Sequence, residues 1–319
     1  MSHRRVVLVV SDPNDLHANI VLQRLGQLGT AEGVLLDCAD FPTSAALCLE
    51  VRGDRAGSVL RLPDWSQPVG ASEVVGVWWR RPRQHTTRFD LDDPDVQAYC
   101  ERNAQSLFES WIVTCPGRVV NDPYAQARAD RKPVQLHMAR RAGLRVPATL
   151  VTNDPFLVTR FVADHAGRVV CKSLAGTDRH YSFTSLWDEV DRERLETLRL
   201  APAIFQEYIE GIDLRITVVG NELFPAKVVP AHKGAEVDWR LDAKQNIAAV
   251  QVPQQVGDGL LRLMAMLHLD YAAIDMRLDR DGRYWFLEAN TSGQFLFIEC
   301  QTNQMISMTL ARLLSRPTD

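Results

Sequence analysis

Apolar residues recur with two different spacings along residues 1–115, and this pattern predicts strands that alternate with helices. The continuous apolar run at 5–10 predicts a buried strand. Residues 15–28 carry apolar side chains at helical spacing, and Gly29 directly after them is a typical C-cap. The segment is therefore expected to form an α/β unit, with further strands at 34–37, 58–62 and 74–79.

A second helical pattern begins at Asp93 and Pro94, a typical N-cap followed by a typical first helical residue. It continues to about residue 112, and its predicted apolar side comprises Val96, Tyr99, Leu107 and Trp111. The unit has the element order of a Rossmann-like half. The turn after its first strand reads SDPNDLH, however, and lacks the glycine fingerprint of a dinucleotide site. We therefore expect this unit to be structural or to face the substrate.

The remainder of the chain reads as two further units. Cys115, Pro116 and Gly117 mark the first boundary, so that residues 116–200 form a central unit. Residues 201–319 are strand-rich with two packed helices, which is typical of an α+β unit. Helices are predicted at 132–143, 154–165, 255–267 and 302–314, strands at 146–151, 168–173, 204–209, 214–219 and 222–230, and a polar, mobile loop at 231–246.

The strongest chemical signal is a predicted hairpin at 271–290. Two apolar-rich runs flank Asp281 and Gly282, a dipeptide typical of two-residue hairpin turns. In such a turn Arg280 faces Arg283, and the pairing of all residues further along the two strands follows from that pair. The tail after the hairpin, at 292–299, reads as a further apolar strand.

The predicted register brings three oxygen-bearing side chains together. Asp275 lies opposite Glu288, and Asn290 falls on the same face because strand side chains repeat every second residue. Two directly opposed carboxylates repel each other, and a hard cation between them would reverse that penalty. Two carboxylates and an amide suit Mg²⁺, which keeps several waters and is often completed by substrate phosphates. We therefore predict a magnesium site, against the alternative of an ordinary surface hairpin.

Composition and charge narrow the classes of function. The chain has 319 residues, a formal net charge of −4 and 46% hydrophobic residues, as ordinary globular proteins do. It lacks the basic excess of nucleic-acid-binding proteins, and its N-terminal apolar run is too short for a signal peptide or a membrane span. The 6 cysteines are scattered without a C-x-x-C pair. We expect free thiols, no zinc site and a cytoplasmic protein that contacts neither nucleic acid nor membrane.

Several other polar residues have both a chemical and a simpler interpretation. Lys172 lies on an otherwise apolar strand, where it either faces solvent or contacts a phosphate or purine. The end of a later strand could offer its backbone groups to the edge of a purine, although acidic residues at strand ends are common. This strand end comprises Gln206, Glu207, Tyr208 and Ile209.

Further charged residues leave similar alternatives open. Asp213 and Arg215 share one strand face and could contact a nucleotide or simply pair with each other. Arg240, in the loop sequence Asp-Trp-Arg, could neutralise a transferring phosphoryl group or an acyl phosphate. The stretch WWRRP at 78–82 carries tryptophans that suit a core and arginines that suit an acidic peptide. The arginine cluster there, either a solvated face or a site for an acidic partner, comprises Arg80, Arg81, Arg83 and Arg88.

The order of these motifs resembles that of the ATP-grasp superfamily. Lys132, Lys172, QEYIEGIDLR, DWR and DMRL…FLEAN follow one another over roughly residues 116–315, as in the ribosomal protein modification glutamate ligases. Within that branch, WWRRP, DWR and EANTSGQFLFIE are similar to the ATP-grasp ribosomal peptide maturases that make graspetides such as microviridins. The resemblance implies an ATP-grasp fold, of α/β and α+β class, behind a Rossmann-like pre-ATP-grasp domain. This chain has Thr291 where related proteins often carry proline.

The resemblance also implies a role for each candidate residue. The expected ATP-binding residues are Lys132, Lys172, Gln206, Glu207, Tyr208, Ile209 and, near the ribose, Asp213. The expected Mg²⁺ ligands are Asp275, Glu288 and Asn290. The residues expected to stabilise phosphate or acyl-phosphate charge are Arg215 and Arg240.

The implied activity is an ATP-dependent ligation with release of ADP and phosphate. Asp or Glu side chains of a ribosomal precursor peptide with a leader segment would be activated as acyl phosphates and joined to Ser, Thr or Lys. Two alternatives stay open at this point: a ligase that adds glutamate-like residues to a protein or small molecule, and a non-catalytic nucleotide-binding protein. A homodimer is also left open.

Overall fold

The structure is a computed structural model that describes residues 4–63, 65, 67–85, 92–174, 184–188, 192, 194–230 and 245–316. The strands are β1 (Val6–Ser11), β2 (Glu32–Leu36), β3 (Ala46–Arg52), β4 (Arg55–Arg61), β5 (Val69–Gly70), β6 (Val74–Arg81), β7 (Arg118–Val120), β8 (Thr149–Thr152), β9 (Val169–Ser173), β10 (Ser185–Leu186), β11 (Ala203–Glu207), β12 (Gly211–Val219), β13 (Glu222–Pro230), β14 (Gln245–Ala249), β15 (Tyr271–Asp279) and β16 (Tyr284–Asn290). The helices are α1 (Leu16–Leu28), α2 (Pro94–Thr114), α3 (Pro123–Ala129), α4 (Lys132–Arg141), α5 (Pro155–Asp164), α6 (Gln254–Leu267), α7 (Leu296–Thr302) and α8 (Ile306–Ser315).

The N-terminal unit contains a parallel sheet with the strand order β2-β1-β6-β7. β1 is buried at every position, as its continuous apolar run predicted. At the start of α1, the Asp15 side chain accepts hydrogen bonds from two backbone N–H groups. Gly29 ends this helix in the left-handed region at φ 62°. The predicted α/β arrangement of this unit is confirmed.

Helix α2 begins at the predicted N-cap, Asp93, but it buries a different side from the predicted one. Only Trp111 of the four predicted residues is buried, because the ring of Phe108 fixes the helix orientation. This ring lies 5.4 Å from the ring of His85 and 6.1 Å from that of Trp79, measured between centroids. The exposed residues are Val96, Tyr99 and Leu107, and the buried ones are Ala104, Phe108, Trp111 and Ile112.

A second small sheet in the N-terminal unit has the order β3-β4-β5. The sequence pattern predicted part of β4 but not β3, its edge strand. β3 is exposed at six of its seven positions, so it shows no contrast between a buried and an exposed face. A pattern of alternating burial is the signal on which strand prediction depends.

The central sheet is antiparallel with the order β10-β9-β11-β8, and α5 packs on it. Sheet membership places β7 with the N-terminal unit and β11 with the central one. The expected boundary at 115/116 had placed β7 in the central unit, and the expected boundary at 200/201 had placed β11 in the C-terminal unit. The division into three units itself stays a proposal.

The C-terminal unit is a five-stranded antiparallel sheet with the order β14-β13-β12-β15-β16. Helix α6 covers one face through the side that the sequence predicted, with Leu260, Leu263, Met264 and Leu267 buried. The predicted loop is corrected at its end, since Gln245 and Asn246 belong to β14. The rest of that loop, residues 231–244, lies outside the described residues.

The tail after the hairpin is helical rather than extended. Phe295 and Ile298 are three residues apart and buried on one side of α7, so the apolar run that was interpreted as a strand has helical spacing. The last helix, α8, begins at Ile306 instead of 302 and packs against α1. One core cluster thereby joins the N-terminal sheet to the C-terminal helices. None of the helices in the described ranges has the length and apolarity needed to cross a bilayer.

Candidate functional site

Strands β15 and β16 form the predicted hairpin, but its turn differs from the predicted one. Asp279 accepts a backbone hydrogen bond from Gly282 at 3.1 Å and donates one to Arg283 at 3.0 Å. The loop therefore comprises the three residues 280–282, and Gly282 takes the left-handed conformation at φ 77° that such loops need. The prediction that Arg280 faces Arg283 is wrong by one residue.

Asp275 nevertheless lies opposite Glu288, as predicted, because a β-bulge restores the register. Met276 pairs with Phe286 while Asp275 pairs with Glu288, so Leu287 is an extra residue in β16. Without this bulge Leu287 would face Asp275, and Glu288 would point to the opposite face of the sheet. The bulge therefore directs the second carboxylate towards the site.

Each of the two carboxylates lies beside a cation. Arg215, on β12, donates from Nη1 to Oδ1 of Asp275 at 2.7 Å, and its side chain is 6% exposed. The ammonium group of Lys132, at the start of α4, is 3.5 Å from Oε2 of Glu288. It also donates to the Ser173 carbonyl at the end of β9, at 3.4 Å. Lys132 therefore links the central sheet to the C-terminal sheet at the hairpin.

Asn290, the third predicted ligand, ends β16 on the same face and is exposed. Its Oδ1 accepts a hydrogen bond from the Ser292 N–H at 3.1 Å, which closes the turn after the strand. Thr291 is buried and donates its hydroxyl to Asp130 at 2.7 Å. Burial raises the pKa of Asp130, and the hydrogen bond from Thr291 partly opposes this rise. Thr291 thus holds this turn through a hydrogen bond that proline could not make.

Lys172 and Gln206 lie together on one face of the central sheet. Lys172 is half-buried and donates to Oε1 of Gln206 at 2.9 Å. Gln206 is 2% exposed and donates to the Thr149 hydroxyl at 3.0 Å. The amide therefore orients the ammonium group on this face of the sheet.

The predicted adenine-binding strand end joins the central sheet to the C-terminal one. Glu207 donates its backbone N–H to Ala148 at 2.8 Å. The Tyr208 ring lies 5.5 Å from the guanidinium carbon of Arg277, which also donates to the Ile209 carbonyl at 3.0 Å. This link is consequently held by the backbone of the central unit and by the Arg277 side chain of the C-terminal unit.

Asp213 pairs with Arg277 and not with Arg215, which corrects the alternative that Asp213 and Arg215 neutralise each other. Two nitrogens of Arg277 donate to Oδ1 of Asp213, at 3.0 and 2.7 Å. Arg277 was not among the predicted site residues. Its position two residues after Asp275 places both side chains on one strand face, and pairing β12 with β15 would have revealed it.

Two buried amides that the sequence analysis also missed support the site from behind. Gln135, on α4, donates to the Ala289 carbonyl at 2.7 Å and accepts from the Ala289 N–H at 2.9 Å. Asn121 donates to the Tyr271 carbonyl at 2.9 Å and accepts from the Tyr271 N–H at the same distance. A single amide in a helix or loop carries no sequence signal for such a role.

The donor set fits magnesium better than a metal held entirely by protein. Within the described ranges, no group of three or more His, Cys, Asp or Glu side chains is close enough to hold a metal. Two carboxylates and an amide leave several coordination positions for water and phosphate oxygen, which suits Mg²⁺. Arg240 with its Asp-Trp-Arg motif, and Arg88 of the arginine cluster, lie outside the described residues.

Comparison with known proteins gives one family and several close folds. Residues 129–314 match the family model of the RimK-like ATP-grasp domain. None of the curated proteins matches the chain. The macrocyclase MdnC from Microcystis aeruginosa MRC, solved with the precursor peptide MdnA, is 29% identical with a TM-score of 0.85, and the match covers 98% of this chain and 99% of MdnC.

Two further solved structures are similar over their whole length. The RiPP-associated ATP-grasp ligase of Chryseobacterium gregarium, in complex with ADP and a leader and core peptide, is 26% identical with a TM-score of 0.87. That match covers 97% of this chain and 96% of the ligase. The ATP-grasp ligase PsnB, complexed with a phosphomimetic variant of a minimal precursor, Mg and ADP, is 28% identical with a TM-score of 0.80 and covers 98% of both chains.

Proposed function

The chain belongs to the RimK-like ATP-grasp family, and we propose that it is an ATP-dependent ligase that cross-links a ribosomal precursor peptide. It joins Asp or Glu side chains to Ser, Thr or Lys side chains and releases ADP and phosphate. Solved relatives bound to precursor peptides, ADP and Mg support this choice of substrate and cofactors. The observation that carries the proposal is the opposed pair Asp275 and Glu288, each beside a cation.

The reaction proceeds in two steps. An oxygen of the substrate carboxylate attacks the γ-phosphorus of ATP, the bond to the β,γ-bridging oxygen breaks, and ADP leaves. A hydroxyl or amine of the same peptide then attacks the carbonyl carbon of the acyl phosphate, loses its proton and expels phosphate. The peptide loses the elements of water at each cross-link. Neither step requires a nucleophile from the enzyme.

The chain contributes positioning and charge neutralisation. Lys132 and Lys172 are assigned to the phosphates, and the hydrogen bond from Lys132 to the carbonyl of Ser173, the residue after Lys172, supports a shared site. Arg215 neutralises charge on the transferring phosphoryl group, and Arg240 is assigned the same role by the sequence. Asp275, Glu288 and Asn290 would hold Mg²⁺, which lowers the charge repulsion between the phosphates and the incoming carboxylate.

The nucleoside is assigned to the link between the two sheets. The backbone of 206–209 takes the adenine, and Asp213 takes the ribose. The contact of Asp213 with Arg277 supports this assignment, because the pair holds the carboxylate in one orientation at the start of β12. We propose that the reaction takes place in the cytoplasm, a reducing compartment in which cysteine thiols stay free.

The proposal is tested by counting nucleotide products in the presence of a candidate precursor. We expect peptide-dependent release of ADP and phosphate. Glu288→Gln removes the negative charge of a proposed metal ligand while the size of the side chain stays nearly the same. This variant should lower the release of ADP and phosphate by more than about 100-fold. Release of AMP and pyrophosphate would exclude the acyl-phosphate mechanism.

Asp281→Asn is the matched control on the same hairpin. Asp281 is 68% exposed in the turn and pairs only with Arg283 among the described residues. Surface pairs of this kind contribute little, so this variant should keep the wild-type rate within about threefold. Equal rates for Glu288→Gln and the control would mean that the hairpin is structural.

A further inference from the structure

Residues 292–296, which follow β16, are held by side chains from the N-terminal unit. Arg80, the third residue of WWRRP, is 1% exposed and lies on β6. Its Nη1 donates to the carbonyls of Ser292 and Gly293, the second at 3.0 Å. Its Nε donates to Oδ2 of Asp15 at 3.2 Å. The guanidinium of Arg80 therefore binds this segment of its own chain and is not available to an acidic peptide from outside.

His17 holds the other end of the same segment. Its Nε2 accepts hydrogen bonds from the backbone N–H groups of Phe295 at 3.1 Å and Leu296 at 3.4 Å. Because Nε2 accepts, the proton of the neutral ring lies on Nδ1, which is 3.3 Å from Oδ1 of Asp15. Asp15 thus connects Arg80 and His17, and the three side chains hold residues 292–296 from both ends.

Residues 292–296 also lie directly against β15, the strand that carries Asp275. A Cβ at Gly293 would be 2.3 Å from the Cβ of Ala273 and 2.9 Å from Nη2 of Arg215, so only glycine fits there. The hydroxyl of Tyr271 also donates to the Gly293 carbonyl at 2.7 Å. A shift of this segment would therefore move Arg215, the partner of Asp275, and the turn that follows Asn290.

Stability alone does not account for the guanidinium at position 80. Burial of a charged side chain is costly unless all its polar groups are paired, and Nη2 of Arg80 has no hydrogen-bond partner among the described residues. An apolar side chain would avoid this cost. A fork that bonds two successive carbonyls and a carboxylate gives geometric precision, which an apolar side chain could not provide.

We propose that Arg80, Asp15 and His17 are positioning residues that set the path of residues 292–296 and, through it, the geometry of the Mg²⁺ site. This inference rests on the proposed function, because it assumes that the hairpin binds the metal and nucleotide. In this proposal the three residues act on the metal ligands through residues 292–296 and are not themselves assigned to hold the metal, the nucleotide or the peptide.

Arg80→Lys tests the inference because it keeps the charge but replaces the planar fork with a single nitrogen. The readout is the dissociation constant of Mn²⁺ for the complex with ADP, measured by electron paramagnetic resonance without turnover. Loss of a partner that orients metal ligands typically weakens metal binding about 10- to 100-fold, and we expect the dissociation constant of Mn²⁺ to rise in that range. Arg83→Lys is the matched control, because Arg83 is exposed and pairs with Asp37 and Asp12. Its Mn²⁺ affinity should equal that of the wild type.

A second variant covers the case in which Arg80→Lys does not fold. His17→Phe keeps the edge-on ring contact with Phe295, at a centroid distance of 4.9 Å, but loses the acceptor nitrogen. This variant should raise the dissociation constant of Mn²⁺ by a factor in the same range. An unchanged dissociation constant in a folded variant of either position overturns the inference. A wild-type protein that binds no Mn²⁺ with ADP overturns the proposed function as well, so the two failures are distinguishable.

Discussion

At the scale of single residues, two cationic side chains balance the two carboxylates of the proposed nucleotide site. Asp275 and Glu288 would repel each other if they were isolated, and Arg215 and Lys132 compensate this repulsion. In the proposed mechanism, Mg²⁺ held by the two carboxylates would take over that compensation. The guanidinium and ammonium groups would then be available to phosphate oxygens, with which Arg and Lys form charge-assisted hydrogen bonds. The same two side chains stabilise the site before binding and would stabilise the phosphates after it.

Two buried histidines should make the stability depend on pH. Burial lowers the pKa of His17 and of His85 below the usual value of about 6.5. Below that pH the unfolded chain takes up protons on both rings while the folded protein resists them. The free energy of unfolding should therefore fall as the pH drops below about 6.5, by at most about 1.4 kcal/mol per pH unit for each ring. Urea unfolding between about pH 5 and 7 measures this slope.

Replacement of each ring separates the two contributions. His17→Gln and His85→Gln should each give a shallower slope than the wild type. Asp130, whose pKa is raised by burial, contributes with the opposite sign, but it is present in all three proteins and cancels in the comparison. A full wild-type slope in both variants would contradict the assignment of neutral buried rings.

At the scale of elements, the hairpin shows what a sequence pattern can and cannot predict. The pairing of Asp275 with Glu288 was predicted correctly, yet it depends on a three-residue loop and the bulge at Leu287, whose effects on the register cancel. Leu287 is apolar like Phe286 before it, so nothing in the pattern marks it as an extra residue. The bulge arises from packing of the finished sheet, and packing between distant segments is not visible in local periodicity.

Helix α2 gives a second example, and it leads to a prediction about stability. Phe108 is fully buried, whereas Tyr99, on the predicted apolar side, is 68% exposed. Phe108→Ala should lower the free energy of unfolding by about 3–5 kcal/mol, because it leaves a cavity among aromatic rings. Tyr99→Asn, on the same helix, should change it by no more than about 0.5 kcal/mol. Urea unfolding of both variants checks the orientation, and similar losses for both would contradict it.

At the scale of the whole molecule, the site is assembled from all three units. The N-terminal unit clamps residues 292–296, the central sheet contributes Lys172 and Gln206, and the C-terminal sheet carries the hairpin that is proposed to bind the metal. The order of motifs along the chain was enough to predict the fold class, and the roles of the individual site residues stay predictions. The two supporting amides, Asn121 and Gln135, were missed because they act through contacts that lie 150 and 154 positions away in the chain.

The central claim is that this enzyme closes bonds within one peptide, and the mass of the product tests it most directly. A precursor with a leader segment and an acidic core rich in Ser, Thr or Lys is incubated with the enzyme, ATP and Mg²⁺, and analysed by intact mass spectrometry. We predict the loss of one water mass for each cross-link, with one ADP formed for each water lost. A peptide that gains the mass of an amino acid would identify a ligase of free amino acids, and an unchanged mass despite ADP release would contradict cross-linking altogether.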